Sequence, residues 1–426
     1  MNVKKKILGK VNVSKDLTLL LIVGGLYFLS IALSNTFVNV YIWKQSGSFA
    51  DLALYNLGIV IMQPLAFIVA GRWAKKVDRV IVLRVGVSLL SVFFLTVLFF
   101  GDHIEGLQMV MGGLLGIGFG FYWLAFNVLT FEITEPDTRD FFNGFLGLLS
   151  SLAGMIGPFS AGAIISSMEK FTGYRIIFTL SLLFFCCAVV LSFYLKRRSA
   201  RGSYRFRQII VERKHNLNWR AVLNAHFFQG LREGTFAFVI VIWVFITTKS
   251  ALALGTYGLV QSAVSFGAYY GATRMIKNRH RKKAILAGGL ALYAAVFFIL
   301  FQLTYPLLLA YGVTIALAYP LLLVPYMSLT FDVIGKGWKA ADMRIEYVVV
   351  RELYYNAGRV ISILAFLAVV FLFDDKQAIP YLLAVLGAGH LFIYMFVRNI
   401  QLRKSSHSPQ GGEGERRSLQ KKGSTV

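Results

Sequence analysis

Twelve runs of about twenty predominantly apolar residues recur along this chain, and no other feature restricts its fold as severely. A helix rises about 1.5 Å per residue, so about 20 residues cross the roughly 30 Å hydrocarbon layer of a bilayer. There every backbone N–H and C=O must find its partner inside the protein, and uninterrupted runs of this length satisfy that as helices. The runs fall at approximately 17–42, 50–70, 80–100, 107–131, 141–167, 174–195, 221–247, 254–274, 284–304, 306–331, 353–373 and 378–398. Only Thr304, Tyr305 and Pro306 part the ninth from the tenth. Hydrophobic residues make up 57% of the 426 and charged residues 15%, too little polarity to clothe a soluble surface of that size. The first run is too long for a signal peptide and no small-residue cleavage pattern follows it, so it is expected to remain in the protein. An all-α membrane protein is expected.

The formal charge of +24 would suit nucleic-acid binding, but its distribution argues against that partner. Lys and Arg gather in short patches between apolar runs: Lys4, Lys5, Lys6, Lys10 and Lys15 at the start, Arg72, Lys75, Lys76 and Arg79 after the second run, Arg274 to Lys283 after the eighth. The opposite loops carry little beyond Lys44, Lys170, Lys249 and Lys376. By the positive-inside rule both termini are expected in the cytoplasm, the protein being multi-pass in a bacterial cell membrane. A basic stretch at 196–220 divides the runs six and six. The expected organisation is a six-helix bundle at 1–195, a cytoplasmic linker at 196–220, a second bundle at 221–398 and a disordered basic tail at 399–426, held near anionic lipid. Cys186 and Cys187 are neighbours on a helix and point about 100° apart, which suits neither a disulfide nor a metal site.

The halves repeat one another at an offset of 200 residues. Ile42-Trp43 matches Ile242-Trp243, Leu52-Ala53-Leu54 with Gly58 matches Leu252-Ala253-Leu254 with Gly258, Gly71 and Arg79 match Gly271 and Arg279, and Leu129 to Glu132 matches Leu329 to Asp332. Later Arg139-Asp140-Phe141-Phe142-Asn143 aligns with Arg351-Glu352-Leu353-Tyr354-Tyr355-Asn356. Chance apolar similarity does not reproduce polar residues in successive loops. Two duplicated six-helix bundles can rock about a central site, as alternating access requires.

With these features the chain resembles the major facilitator superfamily over nearly its whole length. That family's loop after helix 2 reads roughly Gly-x-x-x-Asp-Arg-x-Gly-Arg-Arg. Here Gly71, Lys76 and Arg79 fit, while Lys75 stands at the acidic position and Asp78 at the second glycine. Helix 5 resembles the exporter-associated motif at Gly144, Gly157, Pro158 and Gly162, with Ala153 and Ala161 replacing two glycines. Small residues allow close helix contact and Pro158 removes a backbone hydrogen bond. The resemblance implies efflux or antiport, and places helices 1, 4, 7 and 10 around the cavity.

Helix 7 carries the chemistry. Arg232 and Glu233 lie near the bilayer midplane, where an unpaired charge costs at least about 2.5–3.5 kcal/mol. His226, Gln229 and Glu233 share one helical face. Glu233 is expected as the proton-coupling carboxylate and Arg232 as a substrate or gating contact. His226 and Gln229 are expected on the substrate and proton pathway, His226 either as an interhelix hydrogen-bonding group or as a proton relay. Arg359, read as about six residues into helix 11, is expected either to snorkel toward the cytoplasm or to add positive charge to the vestibule of the pathway. Asn35, Asn39, Tyr122, Asn127, Tyr319 and Tyr326 are candidate polar groups of the cavity. Arg139-Asp140 and Arg351-Glu352 are expected to gate with Glu132 and Asp332.

No Gly-x4-Gly-Lys-Ser/Thr, His-Glu-x-x-His or Gly-x-Ser-x-Gly is present, so neither a P-loop pump nor a membrane enzyme is expected. The expectation is a monomeric secondary transporter of a small or lipid-like solute, driven by a proton gradient without cofactor or metal. A lipid flippase of the same fold and a transport-inactive scaffold or sensor are the alternatives.

Overall fold

The computed structural model describes residues 14–100, 106–133, 136–169, 171–197, 202–373 and 375–401. The side chains of Arg139, Asp140 and Gly144, expected at the gate and in the packing motif, lie outside the described residues. The spanning helices are α1 (Lys15–Ser46), α2 (Phe49–Lys76), α3 (Arg79–Phe100), α4 (Gln108–Ile133), α5 (Pro136–Ser167), α6 (Thr172–Ser192), α7 (Leu217–Thr248), α8 (Ala251–Met275), α9 (Arg281–Leu300), α10 (Tyr305–Gly335) and α11 (Arg344–Leu372). The last, α12, is in two pieces, Asp375–Gly387 and Gly389–Val397, and a short linker helix (Phe206–Glu212) precedes α7. Among the described residues eleven helices are long and apolar enough to cross a membrane. The exception is α8, 25 residues long but diluted by Gly, Ser, Thr, Gln and Tyr. Its place in the bundle mirrors that of α2.

Packing repeats between the halves. In the first, α1 lies against α5 and α6, α2 against α4, and α3 against α4 and α6; in the second, α7 lies against α11 and α12, α8 against α10, and α9 against α10 and α12. The bundles meet along two related seams, α2 with α11 and α5 with α8, with α1 touching α7. This is the expected pair of six-helix bundles.

The local register differs from the sequence match by two residues in the first three helices. Gly47 (φ 62°) and Lys249 (φ 53°) end α1 and α7 in the left-handed conformation, and Ser48 and Ser250 then cap α2 and α8. Arg79 pairs with Glu132 at 2.8 Å and Arg281, not Arg279, pairs with Asp332 at 2.7 Å. The offset is thus 202 from the end of α1 and α7 to the start of α3 and α9, and it returns to 200 at Glu132 and Asp332. A three-residue run of identities could not reveal that slip.

Candidate functional site

Asn216 starts α7 by accepting the Trp219 N–H, and the helix then runs 32 residues, about 48 Å. Glu233 lies halfway along it. Its carboxylate accepts from Gln229 Nε2 at 3.2 Å, from the Tyr319 hydroxyl of α10 at 2.9 Å and from the Tyr355 hydroxyl of α11 at 2.5 Å. Nε2 of His390, a fully buried residue of α12, stands 3.6 Å away. Four helices of the second bundle therefore converge on one carboxylate. Sequence reasoning found Glu233, Gln229 and Tyr319 but missed Tyr355 and His390. Tyr355 lay inside the repeated Arg351 to Asn356 segment, and His390 was a rare intramembrane histidine, so both carried a signal without a partner.

Arg232 points elsewhere, as its roughly 100° rotation from Glu233 demands. Nη2 donates to the Tyr311 hydroxyl at 3.0 Å, the guanidinium lies 4.2 Å from the Phe236 ring centre, and Gly389 of α12 packs on its backbone. It sits within the second bundle between α7, α10 and α12, on a different face from Glu233. His226 meets the Val222 carbonyl at 2.9 Å and the Tyr326 hydroxyl at 2.5 Å through Nδ1, an interhelix contact and one of the two roles expected for it.

Arg359 does not snorkel. Helix α11 begins at Arg344, nine residues before the expected start, so Arg359 lies about 22 Å along it. Its Nη1 donates to Asn356 Oδ1 at 3.2 Å and, across the seam, to Gln63 Oε1 of α2 at 3.4 Å. Its guanidinium lies 5.5 Å from the Tyr355 ring centre. Glu233, Tyr355, Arg359 and Gln63 thus form a line from the heart of the second bundle into the first.

The other expected cavity groups scatter. Asn39 accepts from Asn56 at 2.8 Å, tying α1 to α2, and donates to the Asn35 carbonyl at 3.3 Å. Tyr122 is fully buried and stacked on Tyr27 at 3.9 Å, inside the first bundle and away from Glu233. Asn127 lines a cavity at the linker end.

At that end the α2–α11 seam is closed by charge. Lys75 Nζ meets Glu346 Oε1 of α11 at 2.5 Å and donates to the Asp342 and Ser203 carbonyls at 2.8 and 3.3 Å. The backbone N–H of Arg205 reaches the same carboxylate at 3.2 Å. Lys75 supplies a cation where the family pattern has an acid, and Glu346 supplies the matching anion. Gly71 packs under Tyr204 of the linker, with only 3.0 Å for an added Cβ. Burial, reinforced by the Glu346 charge, raises the Tyr204 phenol above its ordinary range and keeps it neutral. Lys76 is exposed, and Asp78 accepts the Val80 N–H at 2.6 Å, starting α3. Arg351 and Glu352 pair with each other at 2.7 Å. Glu132 and Asp332 bind the starts of α3 and α9, and among the described residues Arg351 pairs with Glu352 rather than with either of these acids.

The opposite end of the α5–α8 seam is tight. A Cβ on Gly162 would stand 2.5 Å from the Ala251 carbonyl, and one on Gly255 would stand 2.4 Å from that of Pro158, so only glycine allows this approach. Ser166 accepts the Leu252 N–H at 3.0 Å, while Gly157 packs on Ala32 of α1. Toward the linker end the glycines of α5 and α8 are not packed in this way among the described residues. Gly147 of α5 and Gly267 and Gly271 of α8 have no described atom within 4 Å of an added Cβ.

Two duplicated bundles around a buried carboxylate define a membrane transporter fold. The model of the Major Facilitator Superfamily matches residues 20–345, and the chain belongs to that family. It is 58% identical over 423 residues to the uncharacterized protein YqgE of Bacillus subtilis (strain 168), covering 99% of this chain and 97% of that one. It is likewise 58% identical over 198 residues, 46% of this chain, to an uncharacterized protein in the sodM 3′ region of Geobacillus stearothermophilus, of which 92% is covered. The crystal structure of the human organic anion transporter MFSD10 (TETRAN) superposes with a TM-score of 0.66 at 13% identity, over 90% of this chain and 100% of that one. The family consists of transporters rather than enzymes, and this is a multi-pass membrane protein.

Proposed function

We propose that this protein is a secondary active transporter that exports a small solute by alternating access, coupled to protons through Glu233. The observation that carries the reading is the convergence of Tyr319, Tyr355 and His390 on that carboxylate. An ionised carboxylate only accepts hydrogen bonds, whereas a protonated one must also donate. Both oxygens of Glu233 already receive a tyrosine hydroxyl, so protonation requires one of these hydroxyls to reverse and accept the new proton, or to give up the carboxyl. Tyr355 lies beside Arg359, which reaches Gln63 of the other bundle. Proton binding therefore bears directly on the seam that must part. The Lys and Arg distribution supports a cytoplasmic linker end in the cell membrane, and the glycine-proline packing of α5 supports the export direction.

A lipid-like substrate is the second reading. It is favoured by the unpacked glycines Gly147, Gly267 and Gly271 near the linker end of α5 and α8, which leave room for an amphiphile entering sideways from the leaflet.

The test is proton-gradient-driven uptake into everted vesicles across cationic drugs, organic anions, sugars, amino acids and lipids. Uptake of one class that collapses with the gradient supports the reading. Uptake that persists without a gradient removes the proton from it.

A further inference from the structure

The cavity at the linker end has chemistry of its own. It encloses about 520 Å³, within the range of small-ligand sites. Its walls come from three parts of the chain: α2, α3 and α4 of the first bundle, the linker at 202–205, and the segment 339–348 that leads into α11. Five basic side chains line it, Lys75, Arg79, Arg205, Lys339 and Arg344, against two acidic ones, Glu132 and Asp342. Glu346 stands behind Lys75 and neutralises it, and among the described lining residues basic groups still outnumber acidic ones. The side chains of Lys339 and Arg205 have no carboxylate at ion-pairing distance among the described residues; the Arg205 guanidinium donates to the Ser203 hydroxyl at 3.1 Å.

The backbone adds to this field. Helix α11 begins in the cavity wall at Arg344, and its N-cap residue Met343 offers no side-chain acceptor to the first-turn N–H groups. Those groups and the helix dipole favour an anion there. Three of the five basic residues are arginines, whose planar forks suit phosphate oxygens.

We infer that this cavity binds a phosphate-bearing anion that holds the α2–α11 seam shut at the linker end. The ligand touches both bundles and the linker at once, so it binds only when they are together. A ligand confined to one conformation shifts the population toward it. The shared chemistry, a phosphate group with an organic remainder, is supplied either by a soluble phosphorylated compound or by an anionic lipid headgroup at the membrane surface. This inference is independent of proton coupling, and binding is measured without any gradient or transported solute.

The full-length protein is placed in nanodiscs of phosphatidylcholine, with or without one-fifth phosphatidylglycerol, and its thermal midpoint is followed. Pyrophosphate is titrated in the discs without the anionic lipid. A saturable rise in midpoint with pyrophosphate points to the soluble source, and a rise with phosphatidylglycerol alone points to the lipid. Arg205→Gln with Lys339→Gln should weaken the response at least tenfold, while Lys214→Gln with Arg220→Gln, outside this cavity, should leave it intact. Should the first double variant not fold, each single change must weaken the response at least threefold. Spin labels at Lys76→Cys and Lys336→Cys, with Cys186 and Cys187 replaced by Ser, should report a larger short-distance population when the ligand is bound. No response to either probe, an equal response in both double variants, or unchanged label distances would overturn the inference.

Discussion

Lys75 of α2 and Glu346 of α11 stand 2.5 Å apart in a fully buried contact that also fastens the linker backbone at Ser203 and Arg205. Removing one member of a buried pair strands the other, at about 3–5 kcal/mol, because the remaining charge has lost its compensation. Lys75→Ala should therefore lower the thermal midpoint of the purified protein sharply. The exchange Lys75→Glu with Glu346→Lys should recover most of that loss. An exchange variant no more stable than either single change would show that polarity, as well as pairing, is fixed by the Ser203 and Asp342 carbonyls that Lys75 also engages.

The bundle architecture was legible in the sequence because apolar run length and basic loops are strong one-dimensional signals. Glu233 was legible for a related reason: a carboxylate in the middle of an apolar helix is costly and needs a partner. The identity of the partner was not. Tyr355 and His390 are 122 and 157 positions further along, and only the packing of α7 against α11 and α12 brings them to Glu233. Arg359 was misplaced because the amphipathic start of α11, from Arg344 to Glu352, reads as loop when judged by hydropathy alone. Its Ile345, Tyr347, Val348, Val349 and Val350 are buried, Tyr347 edge-on to Trp219 of α7.

Glu233→Gln should abolish proton-driven accumulation in everted vesicles while leaving solute counterflow, which needs no net proton movement, near its original rate. The amide keeps the shape of the carboxylate and can still accept from one tyrosine, so the fold should survive. Tyr355→Phe should reduce accumulation roughly tenfold with expression unchanged, since it removes the 2.5 Å contact between the carboxylate and the seam-facing helix. Full accumulation in Glu233→Gln would exclude this residue as the coupling group.

Gly255 and Gly271 lie on the same helix and should respond in opposite ways to alanine. A Cβ at Gly255 meets the Pro158 carbonyl oxygen at 2.4 Å, a backbone atom that cannot rotate away. Gly255→Ala should push α8 from α5, lowering the thermal midpoint and transport together. At Gly271 nothing described lies within 4 Å, so the substitution gains only the helix preference of alanine, about 1 kcal/mol at most. Circular-dichroism melts of the two variants in the same detergent decide the matter. Equal destabilisation at both sites would contradict the difference in packing between Gly255 and Gly271.

Two polar clasps inside the bundles should differ in how their mutations combine. In the first bundle Ser30 Oγ donates to the Ser181 carbonyl at 2.8 Å and Ser181 Oγ donates to the Ser30 carbonyl at 3.0 Å. The two bonds share no atom, and each survives loss of the other hydroxyl. In the second bundle the Thr235 and Ser362 hydroxyls touch each other at 2.8 Å, and Ser362 Oγ also accepts the Thr235 N–H at 3.1 Å. Each change there should cost about 0.6 kcal/mol on average, as interhelical hydrogen bonds in membranes do. Ser30→Ala and Ser181→Ala should then add within about 0.5 kcal/mol. Thr235→Val and Ser362→Ala should cost less together than the sum of the two alone, because the first loss already removes the contact shared with the second. Double-mutant cycles on the reversible part of unfolding measure both couplings. A large coupling at Ser30 and Ser181 with none at Thr235 and Ser362 would reverse the assignment of which clasp acts as a unit.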